Sequence, residues 1–291
     1  MIIPQLPSER LLFSMVRIKV ALADGNEGVG TGFFFSFSAG DDKSVPVIIT
    51  NRHVAANVGV ASFQLHKAIT VNGISQPSGK FFTVAISNFS TQCIMHPQAD
   101  LCAMPIQPLL TEAKERAMSD IFYVSLNESF IPTSQKLEEL GAIEEIVMAG
   151  YPTGLWDQAN NMPIVRRGIT AVHPALDFCG RAEGVIDAAC YPGCSGSPIL
   201  VLNEGSYQTK TGMIIGGARI ILLGVLYGGP EFTTEGEIIA TNIPMRTIPT
   251  VQMRLPMSLG FYVKAREIIT LGALLSKINS RKAPTGIQWI C

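Results

Sequence analysis

Apolar residues along this chain recur in short blocks of four to eight, broken by glycine, proline and asparagine rather than spaced at helical intervals. Blocks of this length, rich in Val, Ile, Phe and Thr and bounded by turn formers, predict β-strands. A first group covers Val16–Leu22, Gly30–Phe37, Val45–Thr50, Ser62–Leu65, Phe81–Ile86 and Leu101–Ile106, with turns at Asp24-Gly25-Asn26 and Asn72-Gly73. A second group covers Ile146–Gly150, Ile164–Ala171, Pro198–Leu202, Ile220–Tyr227, Glu237–Thr241 and Gly260–Val263. Many short strands with few helical patterns predict an all-β sandwich or barrel.

Two stretches break the pattern. Residues 107–145 are more polar, with one helical turn expected at Thr111–Met118, and read as a connection between the groups. Residues 265–279 place Ile268, Ile269, Leu271, Leu274, Leu275 and Ile278 at helical spacing, which predicts an amphipathic helix packed on the second group. Met213 to Gly229 is nearly all apolar, but it is shorter than a membrane span and carries Arg219 and several glycines. A pair of buried strands is the expectation there.

Composition narrows the class. With 47% hydrophobic and 15% charged residues in 291, the chain can bury one large core or two modest ones and is not a disordered one. A formal net charge of −1 leaves no electrostatic footprint for nucleic acid or an anionic membrane. The N-terminus, with Pro4, Pro7, Glu9 and Arg10 early on, does not read as a secretory signal, so a cytoplasmic setting with reduced thiols is expected. No His/Cys cluster has zinc spacing, and neither metal nor cofactor is expected. Cys190–Cys194 and Cys93–Cys102 remain conceivable bridges.

Three segments carry chemistry. Tyr191-Pro192-Gly193-Cys194-Ser195-Gly196-Ser197-Pro198 sets a serine between glycines, which permit a tight turn and let the Gly193 and Ser195 N–H groups converge on a developing oxyanion. Ile48-Ile49-Thr50-Asn51-Arg52-His53 ends a strand and presents a histidine at its rim. In His96-Pro97-Gln98-Ala99-Asp100-Leu101-Cys102 an acid precedes an apolar strand, a costly position unless the carboxylate is hydrogen-bonded, as orienting an imidazole would make it. His96 and Cys194 are rival base and nucleophile. His96 lies along the strand from Asp100, and Cys194 is the immediate neighbour of Ser195 in the same loop.

Together these segments resemble the chymotrypsin/trypsin superfamily, and within it the bacterial HtrA-like branch, over about residues 15–270. Gly30-Thr31-Gly32-Phe33 is similar to the family's G-S-G-F, Thr50-Asn51-Arg52-His53-Val54 to T-N-x-H-V, and Asp100-Leu101-Cys102-Ala103 to D-L-A. Ala149-Gly150-Tyr151-Pro152-Thr153-Gly154 with Arg167-Gly168-Ile169-Thr170 is similar to G-x-P-x-G…G-I-V-S. Gly193-Cys194-Ser195-Gly196-Ser197-Pro198 takes the place of G-N-S-G-G-P, and Leu223-Gly224-Val225 and Gly260-Phe261-Tyr262-Val263 look like late strands.

The resemblance implies two six-stranded antiparallel β-barrels with the active site in the cleft between them, plus a C-terminal helix. The first barrel (10–115) would carry His53 and Asp100, the second (135–265) Ser195 and the oxyanion hole, and the helix would fill 266–280. It implies a serine endopeptidase working through an acyl-enzyme: Ser195 as nucleophile, His53 as base and acid, Asp100 as orienter, Gly193 and Ser195 N–H as oxyanion donors. The wall of its specificity pocket would comprise Ala189, Cys190, Tyr191, Tyr227, Gly228, Gly229 and Phe261. Ala189, six residues before the serine, stands where a trypsin-like pocket holds its acid, so small or apolar P1 residues are expected, unless the alignment slips towards Asp187. Cys194 replaces the Asp used for N-terminal activation, and no room for a PDZ module is seen. The expected partners are a protein or peptide substrate, dedicated and intracellular, and a regulatory protein. The alternative is a catalytically silent double barrel serving as a binding or sensor module.

Overall fold

The protein is described by a computed structural model that covers residues 1–21, 27–40, 43–116, 118–237, 250–278 and 287–290. Nine strands from the first half build one sheet: β1 (Met15–Ala21), β2 (Glu27–Ser38), β3 (Ser44–Thr50), β4 (Val60–Val71), β5 (Ile74–Ser87), β6 (Ile94–Met95), β7 (Cys102–Pro105), β8 (Ile121–Phe122) and β9 (Leu126–Asn127). The second half supplies β10 (Glu145–Gly150), β11 (Ile164–Thr170), β12 (Glu183–Asp187), β13 (Pro198–Asn203), β14 (Ser206–Thr209), β15 (Gly212–Ile215), β16 (Arg219–Gly228), β17 (Glu231–Glu237), β18 (Thr250–Pro256) and β19 (Leu259–Lys264). The last strand, β20 (Ile287–Ile290), returns to the first sheet and pairs antiparallel with β5.

Strands β10-β11-β12-β19-β16-β13 close into a six-stranded antiparallel barrel, as expected for the second half. The first sheet runs β20-β5-β4-β1-β2-β3-β7-β6, with β8 and β9 pairing at its side, and curls without closing. Strand β6 contributes only two residues, too few to carry the ladder round to the far edge. The Asn72-Gly73 turn forms as read: both residues have positive φ (51° and 78°), the requirement of a two-residue hairpin turn, and Val71 pairs with Ile74. The expected Asp24-Gly25-Asn26 turn, Leu22, and residues 238–241 of the expected Glu237–Thr241 strand lie outside the described residues.

Burial follows a period of two on strands covered on both faces. On β3, Ile48 enters a core inside the curled sheet with Val16, Ile18, Phe34, Phe63 and Val84. Its neighbours Val47 and Ile49 face the other way, into a core shared with the barrel through Leu200, Leu222, Val225 and Val263. On β10, Ile146 and Met148 fill the barrel interior, while Val147 and Ala149 face that shared core. Two-sided burial is why these strands read as nearly continuous apolar blocks.

Three expectations need correction. The polar connection forms a helix at Gln107–Arg116, longer and earlier than the turn read at Thr111–Met118. Of the apolar stretch Met213–Gly229, only β16 is buried. Met213, Ile214 and Ile215 lie on the exposed β14–β15 hairpin, because hydrophobicity does not reveal which strands find a partner layer. The C-terminal helix, Arg266–Ile278, lies on the seam between the sheets rather than on the barrel alone. Ile268, Leu271 and Leu275 enter the shared core, a Cβ at Gly272 would stand 2.6 Å from Phe37 of β2, and Ile269 faces solvent.

This seam location gives a stability prediction. Leu271 is fully buried, so Leu271→Ala should cost about 2–5 kcal/mol in urea or guanidinium unfolding. A loss below about 1 kcal/mol would mean that the helix does not seal the shared core.

Candidate active site

The site lies where the two sheets meet and is assembled around Thr31 of β2. Thr31 is fully buried, and each of its polar groups is engaged. Its N–H donates to Ser195 O (2.9 Å), its Oγ1 donates to Gly193 O (2.8 Å) and accepts from Tyr151 N–H (3.2 Å), and its carbonyl accepts from Thr50 Oγ1 (2.7 Å). One residue of the first sheet thus holds the serine loop of the second and the strand end that leads to His53. The same closeness explains Gly196, whose φ is +92°: a Cβ there would stand 1.9 Å from Thr31 O and 2.6 Å from Thr50 Oγ1.

Strand β3 stops at Thr50, and a single helical turn (Arg52–Ala55) brings His53 to the rim, half exposed. The structure joins His53 and Asp100 by two bonds: His53 Nδ1 lies 2.6 Å from Asp100 Oδ2, and His53 N–H donates to Asp100 Oδ1 at 2.9 Å. Asn51 Nδ2 adds a bond to Asp100 O (2.8 Å). Burial alone would raise the Asp100 carboxyl, but its hydrogen bonds to His53, with the charges of His53 and Arg52, outweigh that and hold it below its usual value. An ionised Asp100 accepts from Nδ1–H, which leaves His53 Nε2 as the free acceptor of the ring.

His96 has a different job. It is buried, and its Nδ1 accepts backbone N–H from Gln98 (3.2 Å) and Ala99 (2.7 Å), which shapes the loop that presents Asp100. Its Nε2 faces Glu267 at 3.4 Å, and burial holds the imidazole below its usual pKa, with Arg52 adding to that and Glu267 opposing it.

On the barrel side, Ser195 Oγ lies 3.3 Å from Tyr227 O, to which it donates. Gly193 has φ +89°, and a Cβ there would stand 2.4 Å from Tyr151 O. Cys194 N–H donates to Tyr191 O and Gly196 N–H to Leu226 O. Pro192 O accepts from Thr153 N–H at 2.6 Å, which turns the Pro192–Gly193 peptide so that its N–H points to the opposite side. Among the described residues neither Gly193 N–H nor Ser195 N–H donates to a protein acceptor. Cys194 is fully buried, with its sulfur against Arg166 rather than in the cleft.

Sequence reading also picked out pocket residues that the fold brings near one another. Gly228 pairs with Phe261 across β16 and β19, and the Tyr227 and Phe261 rings stack with centroids 6.2 Å apart. The Cβ positions of Gly229 and Gly260 would fall 3.8 Å from Cys190 Cβ and 2.5 Å from Cys190 Sγ. Burial pushes the Cys190 thiol up to about 11, and Tyr191 is exposed. Burial, followed by the hydrogen bond to Glu183 (3.0 Å), pushes the Tyr227 phenol up to about 12. Asp187 is exposed on β12, opposite in facing to the fully buried Ile186 before it. The described cysteines, 93, 102, 179, 190 and 194, are free thiols, so neither conceivable bridge forms; Cys291 lies outside the described residues.

Three contributors escaped the sequence reading. Arg166 donates to Ala189 O and to Cys194 Sγ. Phe178 stacks on Phe261 at 5.9 Å and extends the aromatic row. Its neighbour Asp177 is held by Arg266 (2.6 Å) and by buried Lys264 (2.8 Å). Among the described residues no group of three or more His, Cys, Asp or Glu could hold a metal ion.

A closed six-stranded barrel, a curled antiparallel sheet facing it, and a His–Asp pair and a serine loop meeting at their junction are now in place. The architecture is all-β, a closed barrel facing a curled half-barrel sheet, the two-barrel layout expected from the sequence with the first sheet left open. No family model matches the chain, and no curated protein matches it. Among solved structures it is similar to AlgW, an HtrA-type protease solved with a tripeptide, at 14% identity and TM-score 0.46 over 92% of this chain and 61% of that one. It is also similar to the inactive form of a mutant Rv3671c from M. tuberculosis H37Rv (16%, TM-score 0.42, 97% and 99% covered). A serine endoprotease from Yersinia pestis is a further match (14%, TM-score 0.43, 96% and 67%). The chain spans less than two thirds of the AlgW chain.

Two measurements check this construction. Thr31→Val removes the hydroxyl that serves Gly193 O and Tyr151 N–H, and should cost about 1–3 kcal/mol for each buried group left unpaired. A chemical-denaturation difference under about 0.5 kcal/mol would show that the contact supports nothing. The Arg266 bond, and then Lys264, lower Asp177 to about 2 against the cost of burying it. A depressed carboxyl stabilises the fold above its unfolded pKa of about 3.9 and loses that contribution as pH falls through the folded value. The melting-temperature deficit of Asp177→Asn should therefore be complete above about pH 5, shrink as pH falls through about 2 and be gone near about pH 1. A deficit independent of pH would show that the charge is not what holds the loop.

Proposed function

We propose that the protein is a serine endopeptidase whose catalytic residues are His53, Asp100 and Ser195. The observation that carries this reading is the pairing, at one junction, of an ionised Asp100 on His53 Nδ1 with a serine loop whose two N–H groups are free of protein acceptors. A half-exposed loop whose donors have no protein acceptor can offer them to an anion brought by a ligand.

In the reaction, the Ser195 hydroxyl exchanges Tyr227 O for His53 Nε2 as its acceptor. Its oxygen attacks the scissile carbonyl carbon while Nε2 takes the proton. The tetrahedral oxyanion accepts from Gly193 and Ser195 N–H. Collapse breaks the C–N bond, the amine leaves with the proton from His53, and the acyl-enzyme is hydrolysed by water through the same base. Asp100 keeps the ring in the productive tautomer and stabilises the imidazolium.

For the pocket formed by Ala189–Tyr191, Tyr227–Gly229 and Phe261 we propose small or apolar P1 residues. No carboxylate replaces the side chain of Ala189, and the Arg166 guanidinium stands at its carbonyl, an arrangement that disfavours a second cation. The free thiols fit an intracellular substrate in a reducing setting, and the exposed apolar hairpin β14–β15 is where we place contact with a regulatory protein. Among the described residues no helix is long and apolar enough to cross a membrane.

Labelling with a fluorophosphonate probe tests the mechanism. The parent should label and Ser195→Ala should not, with a loss of about 10⁶-fold in kcat. Equal labelling of both would sink it, and no labelling of the parent would favour a silent binding module. Cys194→Ala should keep activity within about tenfold, the scale of one hydrogen bond, whereas complete loss would point to a thiol nucleophile. On a proteome-derived peptide library, cleavage mainly after Lys or Arg would refute the pocket assignment.

A further inference from the structure

Strand β11 alternates. Val165, Arg167 and Ile169 face solvent, so Arg166 turns inward, towards a barrel interior filled by Met148, Ile186, Ile199, Leu226 and Tyr262. A guanidinium in such a place normally carries a carboxylate with it. The barrel's other inward arginine, Arg219, is bound by Glu144 and Asn203. Arg166 has no ion-pair partner among the described residues, and its Nε is buried without a hydrogen bond. Its two terminal nitrogens both serve one loop. Nη1 donates to Ala189 O, and Nη2 lies 2.7 Å from Cys194 Sγ.

Those two contacts span the loop that ends in the serine. Cys194 stands between Gly193 and Ser195, so holding its side chain fixes the Cys194–Ser195 peptide, which carries the Ser195 N–H, and the Gly193–Cys194 peptide, through which Gly193 is tethered. From the other side Thr153 N–H holds Pro192 O, and Thr31 holds Gly193 O and Ser195 O. Arg166 is the remaining support, reaching the loop from inside the barrel, where no other described side chain donates to it.

We infer that Arg166 is a positioning residue that braces the Ala189–Ser195 loop from beneath and thereby fixes the places of the unpaired Gly193 and Ser195 N–H groups. The inference deepens the peptidase reading and rests on it for its catalytic consequence. A planar guanidinium can serve both acceptors at once, whereas a lysine ammonium on a flexible stem would hold one point and leave the other free. The brace also explains how the loop is ordered although Cys194 offers no carboxylate for pairing with a distant amino terminus.

The test compares the full-length parent with Arg166→Met and Arg166→Lys. Removing an unpaired inward charge should leave the protein folded, with a melting temperature within about 5 °C of the parent. In Arg166→Met, kcat should fall about 10²–10³-fold, the scale of a lost oxyanion donor, with KM within about threefold. Affinity for a peptide aldehyde, which forms a tetrahedral adduct, should fall in parallel with kcat, while affinity for the matching peptide carboxamide stays unchanged. Hydrogen exchange of the 190–196 amides should quicken, with β13 and β16 unaffected. Arg166→Lys should recover part of the kcat loss, and it carries the same readouts if the Met variant does not fold. Unchanged exchange in the loop, or a loss confined to KM, would overturn the brace. If the parent itself fails to label with fluorophosphonate, the peptidase reading falls, and loop exchange in the two variants still decides whether Arg166 holds the loop.

Discussion

The structure depends on one threonine. Thr31 is the point at which the curled sheet and the closed barrel become a single object, because its hydroxyl, amide and carbonyl together bind the serine loop, Tyr151 and Thr50. Remove those bonds and Ser195, Gly193, Tyr151 and Thr50 have no common neighbour of fixed geometry. The requirement propagates outward. Gly150 and Gly196 must be glycine because a side chain at either would occupy the space of Thr31 and its partners. The apolar seam of Phe33, Phe35, Val47, Leu200 and Leu222, closed by the C-terminal helix, brings the two sheets close enough for these bonds to be short. Hydrophobic burial supplies the attraction between the layers, and the threonine supplies the register.

Charge inside the molecule is sorted by what surrounds it. The Arg219 guanidinium, buried with Glu144, is a compensated pair that pins the start of β16 to the segment before β10. Asp100 is only partly buried and is kept ionised by His53 and Arg52, so a negative charge stands next to the imidazole at neutral pH. Asp177 is kept ionised by two cations and carries Phe178 onto the Phe261–Tyr227 aromatic row. Arg166 is the exception, an inward cation with only a carbonyl and a thiol to meet it. An imbalance of that kind stands beside the loop that carries Ser195.

Much of this was legible from residue order. His53 follows directly on a strand end, Asp100 precedes an apolar strand, and the serine sits between glycines; each pattern has a local physical meaning that survives in the fold. Strand β12 escaped because Glu183–Asp187 is short and polar at both ends, so its two apolar residues, Val185 and Ile186, carry no periodic signal. Arg166 escaped because a charged residue on a strand looks solvent-facing until the strand's facing is known, and Val165 and Arg167 on either side conceal the direction of the alternation. Phe178 escaped because it belongs to an irregular loop whose position is set by an ion pair with residues some 90 positions away. The exposed Met213–Ile215 strand failed in the opposite sense: apolar composition promised a covering layer that the fold does not provide.

By itself, the sequence determined the strand-rich class, the turn at Asn72-Gly73, the amphipathic last helix and the identity of the residues able to do acid–base and nucleophilic chemistry. These are local properties, fixed by side-chain type, backbone preference and a period of two or 3.6. Tertiary structure alone decided that the first sheet stays open and the second closes, which face of β11 turns inward, and that Thr31 is the residue on which both halves meet. Such outcomes depend on contacts between segments distant along the chain, 162 positions for Thr31 and Gly193 and 28 for Arg166 and Cys194, so no short window contains both partners.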